Sequence, residues 1–381
     1  MFEAFAKLNI IRVILVAVFI ILYTILIAAL CVGFFRWKPF SPEQVSTENP
    51  TCFSVIIPFR NEAKHLQALL ESLIKLTYDK QHFEVLLVND ASTDASLAVI
   101  EAFQNTSKLH IKVLDNERFS ASPKKDALTK GISQAKFEWI ITTDADCTVA
   151  PGWLAMYNQA IIQKSELQFI AGPVLFSNAK NSLLGSFQQL DFLSLQGATI
   201  GSFGLGQAFM CNGANLAFAK TQFQQLNGYQ NTDHIASGDD VFLMQKFIKN
   251  DAKQVGYLKT SKALVITAPQ PHLTALITQR KRWAAKASAY TSAFAVLTAI
   301  VVFTGNLAVL LLPFYASAGW FLLLKVGIDV VLITQTAREF NQKKPLWHLI
   351  WVVFIHPIFT VFIALASQTG SFVWKGRTFK K

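Results

Sequence analysis

The chain has 381 residues, 52% of them hydrophobic, 32 of them Phe, and a mean hydropathy of +0.35. That is too apolar for an ordinary soluble domain, while the middle of the chain is too charged for a pure membrane bundle, so a part-globular, part-membrane protein is expected. The net charge of +11 gathers beside apolar segments, at Arg36, Lys38, Arg280, Lys281, Arg282, Lys343, Lys344, Arg377, Lys380 and Lys381. Such placement suits an anionic membrane surface. With no zinc-finger spacing, recognition-helix signature or long basic run, it argues against nucleic acid as a partner.

In chain order, residues 10–35 come first. They form an apolar run interrupted by Arg12, Tyr23 and Thr24, long enough to cross about 30 Å of hydrocarbon. A signal peptide is excluded because the run is too long for an h-region and ends in Phe34-Phe35-Arg36-Trp37-Lys38, which is bulky and basic. Residues 39–50 read as a linker. Beyond it the pattern changes to short apolar runs alternating with amphipathic stretches. Residues 53–58 read as a buried strand ended by Pro58, and residues 62–76 as a helix with Leu66, Leu69, Leu70 and Leu73 on one face. Strand 83–88, helix 94–103, strand 110–114, a helix near 125–135 and strand 139–143 follow. This alternation predicts a doubly wound, mostly parallel α/β sheet.

The carboxyl ends of these strands carry the polar residues, where open α/β sheets bind ligands. They are Pro58-Phe59-Arg60-Asn61-Glu62, Asn89-Asp90-Ala91-Ser92-Thr93-Asp94 and Asp144-Ala145-Asp146. Singly, Asp94 reads as a helix N-cap and Asn61-Glu62 as a helix start. Two carboxylates two residues apart make Asp144-Ala145-Asp146 a hard-oxygen cation site for Mg²⁺ or Mn²⁺, and the lack of a His/Cys cluster argues against zinc. The four cysteines, Cys31, Cys52, Cys147 and Cys211, show no CxxC spacing. They read as reduced thiols, Cys147 and Cys211 being small apolar filler.

Further along, Gly238-Asp239-Asp240 opens an amphipathic stretch at 241–248. As residues alone this is either an N-cap favoured by the helix dipole or a carboxylate base whose pKa is raised by its neighbour. Gln279-Arg280-Lys281-Arg282-Trp283 is either a basic collar before a membrane span or a sugar platform at Trp283, with Arg282 on a diphosphate and Gln279 one turn away. His272 reads as a structural polar residue. Residues 290–314, 316–336 and 346–367 are three more candidate spans, separated by Pro313 and the polar loop 338–345, with 289–299 polar enough to lie in the interface. The charge rule puts the middle of the chain in the cytoplasm. A third full span would put the basic tail 374–381 outside, against that rule. Either one candidate is re-entrant or interfacial, with Pro357 as the break, or the rule fails here.

The motifs at residues 55–62, 87–94, 143–146, 237–240 and 279–283 together resemble the family 2 inverting glycosyltransferases of GT-A fold. Within that family they resemble the membrane-embedded branch that includes ceramide glucosyltransferase and the hyaluronan, poly-N-acetylglucosamine and cellulose synthases. The resemblance covers roughly residues 50–285, with the motifs in the family's order. It implies an α/β GT-A catalytic domain flanked by transmembrane helices: an anchor at 1–38, the linker 39–50, a cytoplasmic catalytic domain at 51–288 ending in the interfacial 279–283 motif, and a membrane region of two or three helices at 289–381. It implies that Pro58, Asn61 and Glu62 shape the nucleotide pocket, that Asp90 bonds the base, usually uracil, and that Lys124 lies near the donor, although Thr129 replaces the family's Asn. Asp144 would contact the donor and Asp146 the metal. Asp240 would be the catalytic base with Asp239 beside it, and Gly213, Asn215, Gln279, Arg282 and Trp283 would serve the acceptor and diphosphate.

The chemistry asks for these groups on its own terms. A departing nucleoside diphosphate gains negative charge that a cation on Asp146 stabilises, and an acceptor hydroxyl must lose a proton to a carboxylate on the far side of the sugar. One displacement inverts the anomeric centre. One span before the catalytic region and two or three after it make a thin polymer channel, which favours a lipid or lipid-linked acceptor at the cytoplasmic face of the cell membrane. A processive polysaccharide synthase is the alternative. A catalytically silent nucleotide-sugar-binding scaffold is opposed by the joint retention of Asp90, Asp146, Asp240, Gln279, Arg282 and Trp283.

Overall fold

The structure, a computed structural model, describes all residues except 1, 41–49, 108, 178–181, 234, 236, 290, 316–318, 369–371, 375, 376, 380 and 381. Most of the predicted linker and half of the basic tail 374–381 therefore lie outside the described residues, as do the first residues of two predicted spans, Tyr290 and Ala316. The chain divides into two compact units, one of Lys38–Ser177 with Met210–Ala268, the other of Met1–Trp37, Asn178–Phe209 and Pro269–Lys381. The predicted boundary at 288/289 thus moves to 268/269, and a segment inside the expected catalytic domain joins the apolar helices.

The α/β unit is built as its periodicities predict. Strands β1 (Phe53–Phe59), β2 (Phe83–Asn89), β3 (Ile111–Asp115) and β4 (Trp139–Thr142) pair in parallel in the order β3-β2-β1-β4. Helices α2 (Ala63–Ile74), α3 (Ser96–Gln104) and α4 (Pro123–Gln134) connect them. Leu66, Leu69, Leu70 and Leu73 of α2 are fully buried, at the i, i+3, i+4, i+7 spacing of one helix face. Pro58 does not end its strand: it pairs in register with Val88, and β4 stops pairing with β1 at Ile56. A residue without an N–H is tolerated there because that edge of β1 has already been vacated.

Beyond β4 lie β5 (Cys147–Val149), α5 (Trp153–Gln163), β6 (Phe169–Ala171) and β7 (Val174–Phe176). The chain returns to this unit with β8 (Leu216–Ala219), α7 (Lys220–Gln225), α8 (Val241–Asn250), β9 (Val255–Tyr257) and β10 (Val265–Thr267). Strand β8 runs antiparallel to both β4 and β6, and β9 completes a seven-stranded sheet; β5, β10 and β7 form a second, smaller one.

The helical unit contains α1 (Phe2–Arg36), α6 (Leu183–Gly204), α9 (Leu273–Ala285), α10 (Ala293–Leu311), α11 (Trp320–Glu339) and α12 (Leu349–Ala366). Among the described residues, Ile10–Arg36, Ala293–Phe314, Trp320–Glu339 and Pro345–Ala366 are long and apolar enough to cross a membrane. Helix α12 runs unbroken through Pro357, so that residue does not supply the break that one of the two alternatives offered. A hairpin of β11 (Phe372–Trp374) and β12 (Arg377–Phe379) follows, and β11 packs beside α9. Helix α6 has no counterpart in the sequence reading. It meets α1 so closely that a Cβ on Gly201 would overlap the Leu30 carbonyl and one on Gly204 the Gly33 carbonyl. Small residues that let backbones approach are how helices associate where lipid removes the hydrophobic drive.

Inside this bundle Lys325 of α11 is 1% exposed and lies 2.7 Å from Asp329 Oδ2, while the Tyr23 hydroxyl of α1 donates to Asp329 Oδ1 at 2.7 Å. Asp329→Leu would leave the ammonium buried without its counter-charge, a loss of about 3–5 kcal/mol. Thermal unfolding in detergent should show it, with most of the stability regained in Lys325→Met/Asp329→Leu. A double variant no more stable than the single one would refute the pairing.

Candidate active site

One end of the candidate site is assembled by loops that tie β1 to β2. After β1, Asn61 takes a left-handed conformation, φ 55°, and its Oδ1 accepts the Thr93 N–H at 2.8 Å, while its own N–H donates to Ser92 Oγ at 3.1 Å. Glu62, 8% exposed, starts α2 and donates its N–H to Ser96 Oγ at 2.8 Å. Ala95, not Asp94, is the N-cap of α3, but the Asp94 carboxylate accepts the Ser96 N–H at the start of α3 and the Ala63 N–H at the start of α2, so it serves two helix starts. Arg60 donates to the Asp90 and Ala91 carbonyl oxygens at 2.7 and 2.9 Å. The buried Asp90 carboxylate accepts from Asn116 Nδ2 at 2.9 Å and Arg118 Nε at 3.1 Å. Asn116 and Arg118 contact the candidate site residue Asp90, and the sequence alone does not single them out. They sit in a loop without periodicity, and nothing but the fold of β3 brings them to Asp90.

The other end of the candidate site centres on Lys124, at the N-terminus of α4. Its Nζ lies 2.7 Å from Asp144 Oδ1 and 3.0 Å from Asp239 Oδ2, joining a carboxylate after β4 to one before α8. Burial opposes its charge, yet Asp144 and Asp239 hold the Lys124 ammonium well above the ordinary lysine range. Burial raises the Asp144 carboxyl, Lys124 pulls it back, and Asp146 with Asp239 push it up again, leaving it above the usual carboxylate range. Asp146 is exposed. Cys147 is buried, its thiol pushed up by burial and then by Asp146, and its Sγ donates to Asp146 Oδ1 at 3.5 Å. A protonated, buried thiol fits the filler role expected of it.

Asp240 is the N-cap of α8, Oδ1 accepting the Val241 N–H at 2.7 Å and Oδ2 the Gly213 N–H at 3.3 Å. The two alternatives left open for this segment are therefore compatible, because one carboxylate caps the helix and stands beside Asp239. Gly213 is needed for closeness: a Cβ there would lie 2.6 Å from Asp239 Oδ2. Asn215 departs from its expected acceptor role. It is fully buried, its Oδ1 accepts from Trp153 Nε1 and the Tyr157 hydroxyl at 2.7 Å each, and its Nδ2 donates to the Pro173 and Ala263 carbonyls at 2.8 and 2.9 Å. With the whole amide spent on protein it is a structural hub. Asn215→Leu should cost about 2–4 kcal/mol by stranding two buried donors and two carbonyls. A melting temperature equal to wild type would contradict that.

Gln279, Arg282 and Trp283 lie on α9 in the helical unit. There the neighbouring Arg280 is the buried one. It donates to Asp191 Oδ2 through Nε and Nη2 at 3.0 and 2.6 Å and to Gln279 Oε1 at 3.0 Å, and its guanidinium lies 4.3 Å from the Trp283 ring. His356 Nε2 lies 3.3 Å from Asp191 Oδ1. Burial would raise the Asp191 carboxyl, but Arg280 and then His356 bring it down to about 2. Sequence reading passed over this network although a signal existed, since Asp191 is the one charged residue in α6.

Among the described residues no three His, Cys, Asp or Glu side chains gather as a metal site. The donor set of Asp144 and the exposed Asp146 nevertheless fits Mg²⁺ or Mn²⁺, which bind through one or two carboxylates and take remaining oxygens from substrate phosphates.

A sheet with this strand order, carrying acids at its carboxyl ends, together with apolar helices, defines a membrane-type GT-A glycosyltransferase. Residues 54–186 match the family model for Glycosyl transferase family 2 and residues 139–366 that for Glycosyl transferase family group 2. The chain belongs to the family 2 glycosyltransferases. It is 27% identical over 258 residues to a poly-beta-1,6-N-acetyl-D-glucosamine synthase of Staphylococcus epidermidis, a match covering 66% of this chain and 59% of that protein. It is 32% identical over 115 residues to a cholesterol galactosyltransferase of Borreliella burgdorferi, covering 30% of each. Both matches span less than two thirds of the relative's length. In fold the chain is similar to the mannosyltransferase PcManGT of Pyrobaculum calidifontis, solved with GDP-Man and Mn²⁺, with TM-score 0.55, 18% identity, and 90% and 99% of the two chains covered.

Proposed function

We propose that this transferase moves a sugar from a UDP-sugar, with inversion, to a hydroxyl of a lipid or lipid-linked acceptor at the cytoplasmic face of the cell membrane. The observation that carries the reading is the Lys124 bridge, which holds the donor-type carboxylate Asp144 and the carboxylate Asp239 on one ammonium, with Asp146 and Asp240 close by them in the chain. Pro58, Asn61, Glu62 and Asp90 take the nucleotide, and Lys124 and Asp144 the donor. Asp240 accepts the proton of the attacking hydroxyl; its Val241 and Gly213 N–H contacts orient it for that. Gln279, Arg282 and Trp283 keep the acceptor and diphosphate roles that the resemblance implies, and Gly213 serves by letting Asp239 and Asp240 close in. Mg²⁺ or Mn²⁺ held by Asp146 would act as a Lewis acid toward the diphosphate.

The lipid acceptor is supported by four helices of membrane character and by the printed activity of the cholesterol galactosyltransferase relative. The packing of β11 beside α9 supports a topology in which one of the three C-terminal apolar helices does not cross, because three full crossings after α9 would carry the tail to the opposite side. That arrangement removes the conflict with the charge rule. Processive synthesis is the second reading, favoured by the longer match to the polyglucosamine synthase. Incubating detergent-purified protein with UDP- and GDP-sugars, Mn²⁺ or Mg²⁺ and lipid extract, then analysing the lipid phase by mass spectrometry, decides. A glycolipid is expected; a long water-soluble polymer would overturn the acceptor.

A further inference from the structure

We propose that Lys125 and Lys246 are positioning residues that shape the segment leading into Asp239-Asp240 by gathering its backbone carbonyls, an inference that rests on the transferase reading above. The segment joins α7 to α8 and reverses direction repeatedly, with φ of 56° at Asn227, 44° at Gly228, 67° at Asn231 and 81° at Gly238. A chain bent in this way cannot satisfy its carbonyl groups in a ladder, so they need other donors. An ammonium has three donors and no acceptor, which suits it to collecting several carbonyls at one point.

Both lysines do this. Lys246 Nζ donates to the Gly228 and Gln230 carbonyls at 2.6 and 2.8 Å and reaches that of Leu226 at 3.4 Å. Lys125 Nζ donates to the Thr232 and Ile235 carbonyls at 2.5 and 3.0 Å and lies 5.5 Å from the Phe242 ring centre. Lys125 is 1% exposed, and a lysine kept there bears a desolvation cost that its carbonyl and ring contacts must offset. Five carbonyls between 226 and 235 thus converge on two side chains. Each of those side chains comes from an element that also carries a site residue: α4 bears Lys124, and α8 is capped by Asp240. The clamp is continuous with the site. Phe242, beside Lys125, packs against Gly238, where a Cβ would fall 2.5 Å from the ring, and the next residue is Asp239.

The consequence is directional. Asp90, Asn61 and Glu62 are held by loops that neither lysine touches, so loosening the clamp should misplace Asp239-Asp240 and leave nucleotide binding intact. A displacement of about 1 Å costs on the order of 100-fold in rate. Lys125→Met and Lys246→Met are therefore expected to keep UDP affinity within about twofold of wild type, to lower kcat for transfer about 10- to 100-fold and to raise the ratio of donor hydrolysis to transfer. Lys246→Arg, still a multiple donor, should restore most of kcat. Hydrogen exchange is the readout that needs no turnover: amides 227–238 should exchange faster in both Met variants, with those of β1 and β2 unchanged.

Transfer at the wild-type rate, or UDP affinity falling in step with kcat, overturns the positioning role. Unchanged exchange at 227–238 overturns the clamp itself. If the wild type transfers sugar from no donor, the transferase reading fails and takes the role with it, while the exchange result still says whether the clamp exists.

Discussion

Asp240→Asn is expected to lower sugar transfer about 10²- to 10⁴-fold, because an amide of the same size cannot take the acceptor's proton. Its Oδ1 can still accept the Val241 N–H, so α8 should stay capped, while the Gly213 N–H loses its acceptor at a cost of about 1–3 kcal/mol. Release of nucleoside diphosphate and the melting temperature, measured on one preparation, separate loss of chemistry from loss of fold. Asp239→Asn makes the comparison sharp: it removes a partner of Lys124 and should weaken donor use as well as rate. If Asp239→Asn is inert and Asp240→Asn retains wild-type transfer, the base is Asp239.

Lys124→Met is the second large effect. The ammonium stands between Asp144 and Asp239, whose side chains are 35% and 12% exposed, so its loss leaves two carboxylates without their shared cation. The stability cost should fall between the roughly 1 kcal/mol of an exposed pair and the roughly 3–5 kcal/mol of a buried one. Donor affinity should fall about 10- to 100-fold, the scale of a lost charge-assisted contact. Lys124→Met/Asp239→Asn should regain stability without regaining transfer. A double variant that recovered both would reduce Lys124 to a structural counter-ion.

Much of the α/β unit was legible because its strands are buried on both faces and end in polar turns. Residues 53–59, 83–89 and 139–142 form strands close to where apolar runs begin and end, and α2 buries the four leucines its spacing selects. Helix α6 was not legible, since a helix packed on several sides loses the polar stripe that marks amphipathic helices. Asn215 and Arg280 show the limit for site residues. A motif says which residue types stand together, while hydrogen-bond partners distant in sequence decide whether an amide or guanidinium is spent: on Trp153 and Tyr157 in one case, on Asp191 in the other.

By itself, then, the sequence determined the class of this protein: acids at successive strand ends, apolar runs of membrane length and basic residues beside them are all local, one-dimensional signals. Only the tertiary structure decided that Asp144 and Asp239, 95 residues apart, share one lysine. It likewise decided that Asp240 caps a helix while standing beside Gly213, and that residues 178–209 and 269–285 belong with the apolar helices. Ion pairs and carbonyl clamps act over about 3 Å between segments remote in sequence, and no periodicity or spacing encodes which segments folding will bring that close.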